Sequence, residues 1–358
     1  MKRFFKMAAV CAAVIFCCGC SVGRAGADEQ GGAVVQHTDV VFGTVVQMSL
    51  YSKEKEASQQ AADDVMELLR SLERDQISWR LDTSEVYRIN KSAGGGQGIA
   101  LSDGMKELLE QSLEISEKSK GAFDITLGPL VQLWKIDSWA AGEEAGNVAL
   151  PSQAAVREAL GKCGFGRLLM VQGKQEGEKL LKLPQGMQLD LGAVGKGYAQ
   201  SETIKLLENH PEITGAVISL GGSVLTWGSK PDGDSWRIGI TDPADTGSYV
   251  GILELSGQWC ISTSGDYERY VELDGVRYHH ILDPSTGYPA DSGVRGVTIL
   301  SKEGLSADAL STACFILGSE KGMELAEEYG AEALFILSDG EMVLSEGMEK
   351  YLTIWTDR

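Results

Sequence analysis

Positive charge is scarce in this sequence. The sequence has 32 Lys and Arg residues and 51 Asp and Glu residues, which gives a formal net charge of −19 at pH 7. Nucleic acids are bound by clusters of Lys and Arg, so this balance argues against nucleic acid as a partner. It also disfavours loose electrostatic attachment to anionic lipid, although a local pocket for a phosphate-containing ligand remains compatible with it.

Cysteine and proline are also scarce. Beyond the first twenty residues the chain has only Cys163, Cys260 and Cys314, and none of them belongs to a C-x-x-C pair. Neither a disulfide framework nor a zinc site is therefore indicated. The 8 prolines contrast with 44 glycines, and 43% of the residues are hydrophobic. This composition indicates a turn-rich globular protein with a sizeable core.

Long apolar runs are missing after residue 20, and the run near the start is too short to cross a bilayer comfortably. A basic segment precedes this run, which is typical of a secretory signal peptide over residues 1–19. Gly19-Cys20-Ser21 fits a bacterial lipobox, in which the Cys becomes the lipidated first residue, although Cys17 stands where Leu is usual. The alternative is an ordinary signal peptide with incidental cysteines.

We therefore predict a lipid anchor at Cys20, which would hold the protein on the extracytoplasmic face of a bacterial cell membrane. Residues 20–37 are rich in Gly and Ala and are predicted to form a flexible tether. Residues 38–358 show no internal repeat and no composition shift, so we predict a single folded domain there.

Hydrophobic periodicity predicts an α+β fold with mainly antiparallel sheets and packed helices, because the strands follow one another in hairpins rather than in βαβ units. The predicted strands are 39–51, 167–172, 187–191, 215–220, 235–241, 249–256, 258–262, 269–273, 276–282 and 294–300. The predicted helices are 54–74, 102–121, one capped by Ser152, 195–209, 306–317 and 319–329. A loop is predicted over 138–152 and a closing hairpin around Asp339-Gly340.

Two motifs suggest sites for phosphate and metal. In "LDLGAVGKGYA", 189–199, a Gly-rich turn leads into a helix whose backbone N–H groups can bind phosphate, and Lys196 adds a cation. Such turns are also common as purely structural features. In "SADALSTACFILG", 306–318, Asp308 and Thr312 share one helix face and offer hard oxygens suited to Mg²⁺ or Ca²⁺. The alternative is that Ser306 caps this helix, with Asp308 in its first turn.

Two further motifs suggest a base and a ring-binding slot. "YHHILDPSTGYP", 278–289, holds two of the four histidines, and adjacent residues of a strand point to opposite faces. At most one imidazole therefore faces a given pocket, where it would suit a general base. "GAFDITLGPLVQLW", 121–134, has aromatic rings and one carboxylate, which fits either a ring cofactor or a core segment.

The order of these motifs along the chain is more specific than any one of them. "KGAFDITLGPLVQLW", "LDLGAVGKGYA", "LGGS", "ISTSGDYERY", "HHILDPSTGYP" and "SADALSTACFILG" occur in succession. Together they closely resemble the FAD:protein FMN transferase family, the ApbE family, over about residues 38–355. The resemblance implies a T-fold-like architecture and a catalytic domain over residues 38–358.

The resemblance also implies an activity. Members of this family bind FAD with a divalent metal, normally Mg²⁺, with Ca²⁺ or Mn²⁺ as other possibilities. They transfer FMN to a Thr, sometimes Ser, hydroxyl of a target protein and release AMP. Their targets are electron-transfer subunits, such as those of Nqr-type and Rnf-type complexes or exported FMN-binding proteins. Two alternatives are FAD pyrophosphatase activity, giving FMN and AMP, and a non-enzymatic FAD-binding lipoprotein.

By motif match, the resemblance implies roles for individual residues. His280 matches the proposed catalytic base, and His279 is expected to face away from the site. The metal site would use the backbone oxygen of Ala193 with Asp308 and Thr312. The FAD contacts would be Ala122, Phe123, Asp124, Asp190, Lys196 and Ile281. Asp283, locked by Pro284, would shape the loop after the base.

Two positions depart from the family pattern. Phe42 stands before Gly43-Thr44 where Met is frequent, and "SWRLDTSEV" replaces the region that carries the aromatic residue beside the flavin. We expect Trp79 or Arg80 to take the place of that aromatic residue.

Overall fold

The computed structural model describes residues 33–142, 149–174 and 177–355. The predicted signal peptide, Cys20 and the first part of the predicted tether lie outside these residues. Residues 33–37, also predicted within the tether, lie in the first strand. None of the helices in the described parts is long and apolar enough to span a bilayer.

The helices in the described residues cover most of the predicted helical segments. They are α1 (Lys55–Ser71), α2 (Glu85–Lys91), α3 (Asp103–Lys118), α4 (Gly128–Trp134), α5 (Ile136–Ala140), α6 (Gln153–Leu160), α7 (Gly195–Leu207), α8 (Gly304–Leu317) and α9 (Ser319–Glu328). A π-helical segment, Leu72–Ile77, continues α1, and short 3-10 turns lie at Phe165–Arg167 and Met348–Lys350. Ser102 and Ser152 cap α3 and α6 as predicted, each accepting a hydrogen bond from the backbone N–H three residues later.

The strands form four sheets, and all their ladders are antiparallel, which confirms the predicted α+β class. In chain order they are β1 (Ala33–Val41), β2 (Thr44–Ser52), β3 (Ile99–Ala100), β4 (Leu169–Gln172), β5 (Lys179–Lys182), β6 (Ile213–Leu220), β7 (Ser223–Gly228), β8 (Trp236–Thr241), β9 (Tyr249–Leu255), β10 (Trp259–Gly265), β11 (Tyr270–Leu273), β12 (Val276–His279), β13 (Val294–Ser301), β14 (Glu332–Leu337), β15 (Met342–Leu344) and β16 (Leu352–Ile354).

An eight-stranded sheet organises the molecule, with strand order β1-β2-β6-β7-β10-β13-β14-β15. Successive side chains of a strand point to opposite faces, and β6 illustrates this, since Ala216 and Ile218 lie in one apolar cluster and Val217 lies in another. The first cluster packs against helices that include α1, α3, α7 and α8. The second packs against the small sheet β16-β9-β8. The eight-stranded sheet is therefore covered on both faces.

A third apolar cluster lies beside this layered body. It joins α4, α5 and α6 to the β11–β12 hairpin through buried Trp134, Trp139 and Val271. The Trp134 ring donates its N–H to the Gly287 carbonyl at 2.8 Å and stacks on Tyr278. This packing holds the loop after β12 against the segment that follows residue 121.

Two strand predictions were wrong. The stretch 39–51 is not one strand, because Phe42 and Gly43 both have positive φ and make a two-residue turn between β1 and β2. The stretch 187–191 forms only an isolated parallel bridge, between Gln188 and Leu127, because other groups bind the rest of its backbone. Asn90 exchanges two hydrogen bonds with the Leu189 backbone, and the Asp190 N–H donates to the Ile125 carbonyl.

The start of α8 also differs from the prediction. This helix begins at Gly304, and Glu303 caps it by accepting a hydrogen bond from the Ser306 N–H at 2.9 Å. Ser306 is therefore inside the helix, and the interpretation of Ser306 as the cap was wrong. The predicted loop over 138–152 begins with the end of α5, and its residues 143–148 lie outside the described parts.

Candidate functional site

A cavity of about 530 Å³ opens between the eight-stranded sheet and the third apolar cluster. Its walls come from segments that are far apart in the sequence: the β1–β2 turn, the end of the π-helical segment, the stretch before α4, the start of α7, the loop after β10 and one face of α8. Every residue predicted for the catalytic, FAD and metal sites lines this cavity, namely Trp79, Ala122, Phe123, Asp124, Asp190, Ala193, Lys196, His280, Ile281, Asp308 and Thr312.

The Gly-rich turn 189–199 brings a carboxylate and an ammonium group to one wall. Asp190 accepts a hydrogen bond from the Gly192 N–H at 2.8 Å, and burial raises the pKa of its carboxyl above the usual range. α7 starts at Gly195, so Lys196 lies in its first turn. The Lys196 ammonium is 3.4 Å from Asp308, which joins this wall to α8.

Asp308 is the most heavily bonded carboxylate of the cavity. Its Oδ2 accepts from the Gly197 N–H at 2.9 Å, and its Oδ1 accepts from the Ser262 and Ser223 hydroxyls at 3.1 and 3.4 Å. The side chain is 5% exposed. Thr312 lies one turn later on the same face of α8, 3.4 Å from the Ser264 hydroxyl. The predicted pair is therefore side by side on a buried helix.

The donor set fits a hard cation. Asp308, Thr312 and the Ala193 carbonyl supply only oxygen ligands, which Mg²⁺ and Ca²⁺ prefer. Within the described ranges no group of three or more His, Cys, Asp and Glu side chains could hold a metal by itself. A cation at this wall would therefore take further oxygens from a ligand or from water, as Mg²⁺ often does at phosphate sites.

Aromatic rings also line the cavity, among them those of Phe123 and Trp79. Phe123 is buried there, and the neighbouring Asp124 accepts hydrogen bonds from the backbone and hydroxyl of Thr126 at 2.7 Å and from the Phe165 N–H at 3.0 Å. Burial nevertheless raises the pKa of Asp124. Trp79 lies at the cavity with the Arg80 guanidinium 4.3 Å from its ring centroid, so both candidates for the ring-flanking position are present.

The two neighbouring histidines face different surroundings, as predicted. β12 ends at His279, whose Nε2 donates to the Ala290 carbonyl at 3.0 Å and whose ring lies edge-on to Phe315. His280 lines the cavity instead. Burial, together with the nearby Arg269 cation, lowers the pKa of His280 to about 3, so its imidazole is neutral at pH 7.

Asp283 shapes the loop after His280. Its carboxylate accepts from the Ser285 N–H and hydroxyl at 2.8 and 2.9 Å, and its backbone carbonyl accepts from the Gly287 N–H. Asp283 does not line the cavity. Its role is therefore confined to the turn that follows the histidine.

The sequence analysis assigned no role to several charged residues of the cavity, among them Asp137, Glu268 and Arg269. Burial raises the pKa of Glu268, whose carboxylate faces the Gly221-Gly222 turn. Arg269 bonds Asp137 at 3.2 Å. A usable signal existed, because "SGDYERY" carries three charged residues at the end of a strand, directly before the hairpin that leads to His280.

The π-helical segment was also missed. It extends α1 by six residues, Leu72–Ile77, and brings Glu73 and Ile77 to the cavity wall just before Trp79. π-Helical turns inside longer helices occur frequently at functional sites. The hydrophobic stripe of period 3.6 ends at Leu72, because the next apolar residue, Ile77, follows five positions later, so periodicity predicted one ordinary helix over 54–74.

Comparison with known proteins gives consistent matches. Residues 42–335 match the family model described as ApbE family. A protein of Treponema pallidum named FAD:protein FMN transferase is 37% identical over 94% of this chain and 93% of its own length. The protein of the same name from Escherichia coli K12 is 31% identical, over 95% of each chain.

Solved structures match as well. The crystal structure of the ApbE protein of Thermotoga maritima superposes with a TM-score of 0.77 at 31% identity, over 89% of this chain and 99% of that one. The flavin transferase ApbE of Vibrio cholerae superposes with a TM-score of 0.76 at 28% identity and the same coverage.

Proposed function

The chain belongs to the ApbE family, and on this premise we propose that it is an FAD:protein FMN transferase. The observation that carries the proposal is the cavity itself. A neutral imidazole, an ammonium group and an oxygen-only ligand set, from segments far apart in the sequence, line a single cavity of about 530 Å³ that also offers aromatic walls. This combination suits a flavin nucleotide with its pyrophosphate.

The finer reaction we propose is transfer of FMN to a Thr or Ser hydroxyl of an acceptor protein. The hydroxyl oxygen forms a bond to the phosphorus of the FMN half of FAD, the pyrophosphate bridge breaks, and AMP leaves. The hydroxyl proton passes to His280. Burial lowers the pKa of His280, so its imidazole is unprotonated at neutral pH, which is the form that can accept a proton.

The remaining residues bind and orient FAD. Trp79, Ala122, Phe123 and Ile281 would contact the flavin half, and Asp124 and Asp190 would bind its polar groups. Lys196 and the backbone at the start of α7 would bind phosphate oxygens. A divalent cation such as Mg²⁺, or Ca²⁺ or Mn²⁺, would neutralise charge on the pyrophosphate when bound. Asp308, Thr312 and the Ala193 carbonyl are the residues that would hold it.

We further propose the setting in which the enzyme acts. A lipid anchor at Cys20 would place the protein on the extracytoplasmic face of a bacterial cell membrane, where the acceptors would be exported FMN-binding proteins or subunits of Nqr-type and Rnf-type complexes. The support for this setting is the signal-peptide pattern of residues 1–19 and the Cys at its end.

The test uses the full-length protein in detergent with FAD, Mg²⁺ and a Thr-containing acceptor peptide, read by mass spectrometry. We expect the peptide to gain the mass of one FMN while AMP forms in equal amount. Free FMN and AMP with an unmodified peptide would instead establish an FAD pyrophosphatase. FAD that stays bound and intact would indicate a non-enzymatic FAD-binding lipoprotein.

The His280→Ala variant tests the proposed base. It should retain FAD binding and lose FMN transfer by about a hundredfold or more, since a positioned base contributes that much to a proton transfer. His210→Ala is the control, because His210 does not line the cavity. Full transfer activity in His280→Ala would contradict the assignment.

A further inference from the structure

An ion pair between Asp137 and Arg269 lies beside His280 and has no role in the reaction proposed above. Asp137, in the first turn of α5, accepts a hydrogen bond from the Arg269 guanidinium at 3.2 Å. Arg269 directly precedes β11, so the pair joins α5 to the β11–β12 hairpin, which ends next to His280. Both side chains line the cavity.

The backbone of Arg269 contacts the imidazole directly. Its carbonyl oxygen accepts a hydrogen bond from the backbone N–H of His280 at 3.1 Å. The same oxygen lies 3.3 Å from Nδ1 of the His280 ring. A carbonyl oxygen only accepts hydrogen bonds, so the ring hydrogen resides on Nδ1. The lone pair of Nε2 is then free to take a proton. Which nitrogen carries hydrogen is set by the bond that the other nitrogen makes.

We propose that Asp137 and Arg269 form a positioning pair for His280, in which Asp137 fixes residue 269 so that its carbonyl holds the imidazole as the Nδ1–H tautomer. The guanidinium has a second effect, because a cation beside the ring disfavours the imidazolium form. This inference rests on the proposed function, in which His280 is the base. It gives that base an orienting partner other than Asp283, whose carboxylate is committed to Ser285.

The charges that face His280 come from several elements. Arg269 and Lys196 disfavour protonation of the ring, as does the neighbouring His279, whereas Asp137 favours it. Three further charged groups, Arg80, Asp190 and Glu268, lie near Asp137 or Arg269. Arg269 is the cation with the largest influence on the ring. Removal of its charge should therefore have the clearest effect on protonation of His280.

The first test does not depend on enzyme activity. The full-length protein is labelled with ¹⁵N-histidine in detergent without FAD, and imidazole nitrogen shifts are followed with pH. The chain has only four histidines, so the spectrum of His280→Gln identifies the signals of His280. We expect the Nδ1–H tautomer in the wild-type protein. Arg269→Gln should raise the midpoint of the His280 titration by about one pH unit, which corresponds to one neighbouring charge.

Two variants separate the charge of Arg269 from its geometry. Arg269→Lys should keep the low titration midpoint, whereas Asp137→Asn should give a mixture of the two tautomers, because loss of the carboxylate charge weakens the tie between residue 269 and α5. The matched control is Arg237→Gln, which removes an arginine from the exposed pair with Glu254 and should change neither readout.

The second readout is FMN transfer. Asp137→Asn and Arg269→Gln should each lower kcat at pH 7 by about tenfold while KM for FAD changes little, because they disturb the base and not the nucleotide contacts. An Nε2–H tautomer in the wild-type protein, or unchanged tautomer and midpoint in both variants, would overturn the positioning role. A wild-type protein with the expected tautomer but no FMN transfer would overturn the proposed function alone.

Discussion

His279 and His280 are adjacent in the sequence, but the ring of His279 packs against Phe315 whereas the ring of His280 lines the cavity. The alternation of side chains along a strand predicted this, because only one of two neighbours can face a pocket. The partner of His280 could not be predicted in the same way. Asp137 bonds Arg269, whose carbonyl contacts His280, only because α5 packs against β11, a tertiary contact without a local signal in the sequence.

Asp190 illustrates the cost of a site residue to stability. Burial raises the pKa of its carboxyl in the folded state, so the folded protein holds this proton more strongly than the unfolded chain. Stability is therefore lost as pH rises from the unfolded pKa, near 4, through the folded pKa. Asp190→Asn should remove this loss and raise the free energy of unfolding at pH 7 by about 1 kcal/mol, while weakening FAD binding.

Urea denaturation of the wild-type and Asp190→Asn proteins at pH 4 and pH 7 measures the effect. The difference between the two proteins should be larger at pH 7. Asp245→Asn is the matched control, because exposed Asp245 accepts a similar hydrogen bond from the N–H two residues later. Equal differences at both pH values would contradict the explanation from burial.

Among the elements, those with a strong local pattern were predicted and those set by tertiary contacts were not. α3 and α6 carry Ser caps and α7 follows a Gly-rich turn, and their starts match the predictions closely. The stretch 187–191 has strand-like composition, but the Asn90 side chain binds its backbone in place of a neighbouring strand. Sequence patterns do not contain that contact between distant residues.

The contact of α7 with α8 allows no side chain at Gly197. A Cβ there would lie 2.2 Å from the Gly304 carbonyl oxygen and 2.5 Å from the Asp308 Cβ. Gly197→Ala should push the helices apart at Asp308 and lower the free energy of unfolding by about 1–3 kcal/mol, as overpacking does. Gly166→Ala is the control, because nothing lies within 4 Å of a Cβ at that position. Wild-type stability of Gly197→Ala in urea would show that the helices can shift without cost.

For the whole molecule, composition predicted a turn-rich globular protein with a sizeable core, and the order of the motifs predicted site residues spread along most of residues 38–358. The layers could not be predicted. The sequence shows which strand residues are apolar, but not that one face of the eight-stranded sheet packs against helices and the other against the sheet β16-β9-β8. That partition depends on strand order, which hydrophobic periodicity does not determine.

The cysteines provide a test of this packing. Cys163, Cys260 and Cys314 are free and buried, and burial raises the pKa of each thiol, so the reactive thiolate is scarce. N-ethylmaleimide should leave their peptides unmodified in the native protein and label all three in urea, as read by peptide mass spectrometry. Labelling of any of the three in the native protein would show that its cluster opens.

The length of the β1–β2 hairpin determines how far the cavity lies from the start of β1. The described chain starts at Ala33 at one end of β1, and the Phe42–Gly43 turn at the other end lines the cavity. A nine-residue strand is about 30 Å long. If Cys20 anchors the chain as proposed, the cavity lies a strand's length from the point where the tether joins the fold. An acceptor hydroxyl would then have to meet the enzyme about 30 Å from that point rather than beside it.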